Sequence, residues 1–307
     1  MIELFLASFV TIMTAATPLV FAGIGELICE KSGVLNLGVE GMMLIGAVFG
    51  FAAVSLTGAP FLGIVTGIVA GLFASLIFAF LTLTLLSNQV ATGLALTIFG
   101  TGLSALVGLD YVGKTIIQLG PINIDFLNKI PVLGQLFFGH DPLVYLAIIL
   151  TVLCGWFLKS TRWGMILKAV GDSDESAHAI GYPVILIRYC AVAFGGAMAG
   201  LGGAYLSLIY TPLWAENMTA GRGWIALALV VFASWRPWRV LLGAILFGGI
   251  TISQLNAQAA GLGLSAAFMS MLPYIATIVV LVMISRDPIR IRMSAPACLT
   301  KPFKPER

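Results

Sequence analysis

Between Gly41 and Leu109 the chain carries no Asp, Glu, Lys or Arg for 69 residues, and between Val240 and Ser285 for another 46. One crossing of a bilayer takes about 20 predominantly apolar residues in a helix, so each run holds more than one. A soluble domain, about a quarter of it charged, has no use for uncharged stretches of that length. The chain therefore reads as all-α, a polytopic membrane helical bundle.

Composition removes other classes. Apolar residues make up 60% of the 307, charged ones 9%, and mean hydropathy is +1.06. The net charge of +3 offers no basic face for nucleic acid. Cys29, Cys154, Cys190 and Cys298 stand singly and read as packing residues rather than a disulfide frame or zinc site. His140 and His178 belong to no metal-ligand spacing, and no metal is expected. Met1-Ile2-Glu3-Leu4 lacks the basic start of a cleavable signal.

Charges and Gly/Pro breaks divide the chain into about nine spans, within a range of eight to ten: 4–24, 34–57, 60–86, 88–109, 142–159, 184–210, 222–235, 240–256 and 271–285. The seventh is short and reads as partly re-entrant. A cytoplasmic C-terminus puts 13 of the 16 cations on the inner side and 3 outside, which the positive-inside rule prefers. The expected organisation is a permease domain over 1–285, with loop 110–141 outside and loop 160–183 inside, followed by a basic cytoplasmic tail over 286–307.

Glycines recur every fourth residue at Gly63, Gly67 and Gly71, and Gly195, Ala199 and Gly203 repeat the spacing; small residues so placed let helices approach closely. A faint echo relates Ala22-Gly23-Ile24-Gly25 and Gly38-Val39-Glu40-Gly41 to Ala199-Gly200-Leu201-Gly202 and Gly221-Arg222-Gly223-Trp224. Duplicated halves and chance among Gly/Ala-rich helices explain it equally well.

In the inner loop, Asp172 is expected to cap a helix of about eight residues, with Glu175 completing a capping box. Gly181 suits the left-handed position after it and Pro183 stops it. A helix so short needs something to dock on: its own bundle, as a plain connector, or a cytoplasmic partner. For the second reading, Ala177, Ile180 and Gly181 form a small docking face and Asp172, Asp174 and Glu175 meet partner cations.

Gly33-Val34-Leu35-Asn36-Leu37-Gly38-Val39-Glu40-Gly41-Met42-Met43-Leu44-Ile45-Gly46-Ala47 resembles the signature of ABC-importer permeases of the branched-chain amino acid and simple-sugar superfamily, most closely its nucleoside branch. Lys168–Gly181 resembles the coupling loop of that family, with a more acidic Asp172-Ser173-Asp174, and Gly221–Phe232 continues the likeness. The resemblance implies the BtuC-like, or type II, importer fold. It also implies the shorter of two paired permeases, forming half of a path for nucleosides or a related sugar-like solute in a bacterial inner membrane. The implied partners are a longer sister permease, a cytoplasmic ATP-binding subunit carrying ATP and Mg, an external solute-binding protein and the bilayer. This chain itself is expected to hold no cofactor, to catalyse nothing and to lack a Gly-x-x-x-x-Gly-Lys-[Ser/Thr] phosphate loop. Gly171, Asp172, Glu175, Ala177, Ala179, Ile180 and Gly181 become the expected ATPase-coupling residues.

Candidate path residues are Asn36, Glu40, Asn88, Gln89, Arg222 and Gln254. Glu40 lies inside an apolar segment, where a charge is functional by default; it either stabilises its motif or lines a cavity. The amides suit a neutral hydroxylated solute and equally suit helix–helix bonding. Trp214 and Tyr210 fit an interfacial belt or a stacking platform. The competing classes are an autonomous secondary transporter or channel, which needs buried ionisable pairs, and an intramembrane enzyme, for which no catalytic constellation is evident.

Overall fold

The computed structural model describes residues 2–116, 118, 120, 139–259, 265–285 and 294–304. Most of the expected outer loop 110–141, and residues 286–293 and 305–307 of the expected tail, lie outside the described residues. The elements are α1 (Ile2–Lys31), α2 (Val39–Thr57), α3 (Pro60–Ala79, prolonged to Thr84 by a π-helical turn), α4 (Gln89–Gly108), α5 (Pro142–Ser160), α6 (Arg162–Asp172), α7 (Asp174–Ala179), α8 (Val184–Tyr205, prolonged likewise to Tyr210), α9 (Arg222–Phe232), α10 (Pro237–Ala259) and α11 (Ala266–Ser285).

Seven of these segments are long and apolar enough to cross a membrane. Of the nine expected, α9 has only 11 residues, and the 271–285 segment falls within α11. The chain is a multi-pass membrane protein built as a helical bundle. Two boundaries differ from expectation. The first helix runs on to Lys31, because Glu26 and Glu30 are buried and partnered rather than forming a polar exit. The second starts at Val39 and not near residue 34, since Gly33 at φ +91° and an Asn36 turn break the chain first.

The core centres on α8, which packs against α1, α2 and α3. Glycines make this possible, as their spacing led us to expect: Gly46 meets Gly200, Gly71 meets Gly196, and a Cβ on Gly67 would stand 2.6 Å from Ala204 Cβ. Bringing backbones together replaces the hydrophobic drive that lipid does not supply. Gly25 lies against Gly195 and Pro18 against Gly202, so α1 and α8 are antiparallel. Outside this core, α3, α4 and α5 present exposed flanks such as Phe61, Phe73, Ile98, Leu106 and Trp156, which suit contact with acyl chains.

Candidate functional site

The position of α2 along the bundle is fixed by α4. The Leu35 N–H donates to Gln89 Oε1 (2.9 Å) at the start of α4, and the Thr97 hydroxyl donates to Leu37 O (3.0 Å). Gly41 then packs on Leu96, Thr97 and Gly100, about midway along the twenty residues of α4. Residues 32–38 thus fold back into the bundle before α2 begins. They stay satisfied there: the Asn36 N–H donates to Glu26 Oε1 (3.0 Å) and Asn36 Oδ1 accepts from the Gly38 N–H (2.9 Å).

A second segment enters from the other end. Leu213 bridges Thr115 and Trp214 packs on Gly108, at the far end of α4. The chain then turns inward, and α9 follows Gly221, whose φ of +81° is left-handed and suits glycine. At about 1.5 Å per residue the 11 residues of α9 run roughly 16 Å, half a hydrocarbon core. They lead back toward the Lys31 end, where the Trp235 Nε1–H donates to Glu30 Oε2 (2.6 Å).

The two inward segments meet at Glu40, which is 5% exposed. Its Oε1 accepts from the Thr219 hydroxyl (2.5 Å) and the Gly221 N–H (2.8 Å), and its Oε2 from the Gly223 N–H (2.6 Å). The carboxylate therefore sits on the N-terminus of α9, where free N–H groups and the helix dipole favour an anion. A Cβ on Gly223 would lie 2.6 Å from Glu40 N, so glycine is required for the approach. Of the two readings of Glu40, this geometry is that of a pin between α2 and α9. The faint sequence echo coincides with these two helix–loop–helix segments, entering from opposite ends.

Other candidates fall differently. Arg222 is bound to Met218 O and Thr219 O and lies 5.5 Å from the Tyr210 ring centroid, bracing the same turn. Asn36 and Gln89 are buried and hold residues 35–38; Asn88 is exposed and caps α4 through the Ala91 N–H (3.0 Å). Gln254, half-buried on α10, has no described contact with this group. Trp214 is buried against Gly108 and fits neither a belt nor a stacking platform.

Loop 160–183 departs from expectation. Residues 162–172 form α6, with Ile166, Leu167 and Val170 buried and Trp163 exposed. Asp172 is the last residue of α6, and Ser173 caps α7, accepting from the Ser176 N–H (3.4 Å). The expected Asp172–Glu175 capping box does not form, and α7 is six residues long. Its end is as expected: Gly181 has φ +92°, its N–H donates to His178 O, and the Tyr182 N–H donates to Ala177 O.

The expected docking face splits in two. Gly171 and Ala177 turn inward, whereas Asp172, Glu175, Ala179, Ile180 (74% exposed) and Gly181 face out. Asp174 is not free for a partner cation: it is buried and paired with Arg188 at 2.9 Å, the single ion pair among the described residues. The Arg188 Nε–H also donates to Ser32 O. From the C-terminal side, the Cys298 N–H donates to Gly171 O (2.9 Å) and its thiol to Asp174 Oδ1 (3.4 Å). Burial pushes that thiol up from its ordinary value, so it remains a donor. Phe303 completes the cluster between Arg188 and His178.

One string contradicts the sequence reading. Gly108-Leu109-Asp110-Tyr111-Val112-Gly113-Lys114-Thr115 does spell Gly-x-x-x-x-Gly-Lys-Thr, contrary to the expectation that the string is absent. Its setting is not that of a phosphate loop, which joins a strand to a helix N-terminus. Here Gly108 ends α4, Leu109–Tyr111 is a short 3-10 turn, and the Lys114 ammonium lies 5.0 Å from the Tyr111 ring centroid.

Sequence reasoning missed Glu26, Glu30 and Asp141. Asp141 caps α5 and accepts from the Tyr205 hydroxyl (2.7 Å); the Asp-Pro pair opening an apolar run was its signal. Glu26 and Glu30 are one turn apart on α1, each with one buried oxygen lacking a hydrogen-bond partner (Oε2 and Oε1 respectively).

Residues 8–284 match the branched-chain amino acid transport system permease component family. A provisionally assigned glucose ABC transporter permease of Haloferax volcanii is 41% identical, with 95% of each chain covered. A nucleoside ABC transporter permease of Lactococcus lactis is 32% identical and a guanosine ABC transporter permease of Bacillus subtilis 30%, each over 87% of this chain and 88% of the relative. No solved structure matches significantly.

Proposed function

The chain belongs to the branched-chain amino acid transport system permease family, and from that premise we propose that it forms half of the path of an importer for a neutral, hydroxylated solute, a nucleoside or simple sugar. It is a permease subunit of an ABC transporter, a system with partner subunits. The reading of the path rests chiefly on one observation: two interrupted helices meet midway along the bundle at a carboxylate held by neutral donors. Interrupted helices are where transporters expose backbone groups to cargo. With Glu40 neutralised by α9, Asn36, Gln89 and Arg222 brace the joint, and the solute contacts come from the backbone beside them.

In this reading residues 1–285 are the permease, the C-terminus is cytoplasmic, and a sister permease and an external binding protein complete the path. An ATP-binding subunit pushes on Asp172, Glu175, Ala179, Ile180 and Gly181, while Gly171 and Ala177 pass the movement to α1 and α8. The test is uptake of labelled guanosine and glucose by cells carrying the whole transporter, with the ATP-binding subunit present or deleted. Uptake of one solute that stops on deletion is the expected result; undiminished uptake overturns it. The unpartnered oxygens of Glu26 and Glu30 favour a second reading, an ion-coupled transporter. Uptake by the chain alone, driven by a proton or sodium gradient in liposomes, would establish that instead.

A further inference from the structure

Beside the α6–α7 loop, a cavity of about 800 Å³ opens between the ends of α5 and α10. Lys31, Lys159, Lys168 and Arg236 line it, and no carboxylate does among the described residues. Lys31 is partly engaged, donating to Ser294 O (2.8 Å). Lys159 and Arg236 are exposed and Lys168 half-buried. Asp172 and Glu30 act on Lys31 as opposing charges, so the cations left to repel one another unless an anion sits between them are Lys159, Lys168 and Arg236.

The walls indicate which anion. Trp156 and Trp238 line the same cavity and are 59% and 53% exposed. Exposed indoles at the end of a span belong at headgroup level, where one edge is apolar and the other wet. Trp156 also borders a second cleft of about 450 Å³, whose other lining comes from apolar side chains of α1, α5, α6 and α8. A charged recess and an apolar cleft that share the Trp156 wall suit a headgroup and its acyl chain, and basic pockets between helices take anionic headgroups. The outward face of the α6–α7 loop, by contrast, offers Asp172, Glu175 and Ile180, none of which lines the basic recess.

We propose that the cavity between α5 and α10 binds the phosphate-bearing headgroup of an anionic phospholipid, held by Lys159, Lys168 and Arg236, with its chain against Trp156. The test uses the full chain in its native assembly, purified in mild detergent, with lipid binding followed by native mass spectrometry. Phosphatidylglycerol should bind at least about tenfold more tightly than phosphatidylcholine, and K159Q/R236Q should weaken phosphatidylglycerol by roughly thirtyfold, about a kcal/mol per removed charge. Phosphatidylcholine affinity and the amount of assembled complex should not change. Equal binding of the two lipids by the unmodified protein overturns the proposal without any variant. So does inorganic phosphate displacing phosphatidylglycerol at millimolar concentration, which would mark a site for a dissolved anion. Retained phosphatidylglycerol with loss of the ATP-binding subunit from the variant would make the recess a protein contact and overturn it equally.

Discussion

Glu40 and Asp174 are both buried carboxylates that tie together parts of the chain distant in sequence or structure, and they are held by opposite means. Glu40 is met by a hydroxyl and two backbone N–H groups at a helix N-terminus, with no cation. Asp174 is met chiefly by side chains, the Arg188 guanidinium and the Cys298 thiol, with one backbone N–H from its neighbour Glu175 (3.0 Å). Backbone donors cannot rotate away, so the Glu40 joint holds α2 and α9 at one spacing. An ion pair between side chains can part and re-form, so it fixes the loop less rigidly. The pair also leaves a bare guanidinium behind when its acid is removed, whereas the joint leaves neutral N–H groups.

That difference sets an order of effects. Asp174→Asn should cost about 3–5 kcal/mol, the usual cost of stranding one partner of a buried pair, read as a lower midpoint of thermal unfolding and faster proteolysis around residue 173. Glu40→Gln should cost less, about 1.5–3 kcal/mol. Its amide turns a donor toward the Gly223 N–H, and uptake should fall in complexes that still assemble. If Glu40→Gln proves the more damaging, the two carboxylates are not distinguished by their partners as argued. Ile180→Asp changes only an outward side chain, so unfolding should move by less than about 0.5 kcal/mol. Uptake per ATP should nonetheless drop roughly tenfold, matching a loss of about 1.4 kcal/mol of docking; unchanged uptake would make α7 a plain connector. Lys114→Ala, in the phosphate-loop-like string, should alter neither ATP hydrolysis nor uptake.

The bundle was legible because lipid imposes long uncharged runs, and the packing because glycines recur on one face. The joint at Glu40 was half legible. An acid in an apolar stretch was conspicuous, but its donors lie about 180 residues away and no local pattern reaches that far. Glu26 and Glu30 were lost for a related reason: they sit near a helix end, where acids ordinarily face water, and only packing of Asn36 and Trp235 against them marks them as interior. In the inner loop the apolar spacing of Trp163, Ile166, Leu167 and Val170 was present in the sequence. Placing the cap at Asp172 hid it, because a residue that ends one helix was read as beginning the next. The Arg188–Asp174–Cys298 cluster joins residues 14 apart to one 124 residues from Asp174 and had no sequence signal.

That cluster has a consequence for how the protein is made. Gly171 and Asp174 acquire their last partners from Cys298, and Arg188 its aromatic cover from Phe303. All of these are synthesised well over a hundred residues after the loop they fasten. The joint of α2 with α9 can close while the ribosome is still translating, but the 160–183 loop stays unfastened until residue 303 has emerged. Quality control acting on a chain short only of its last residues would therefore meet a packed α1–α2–α8–α9 core and an unfastened 160–183 loop.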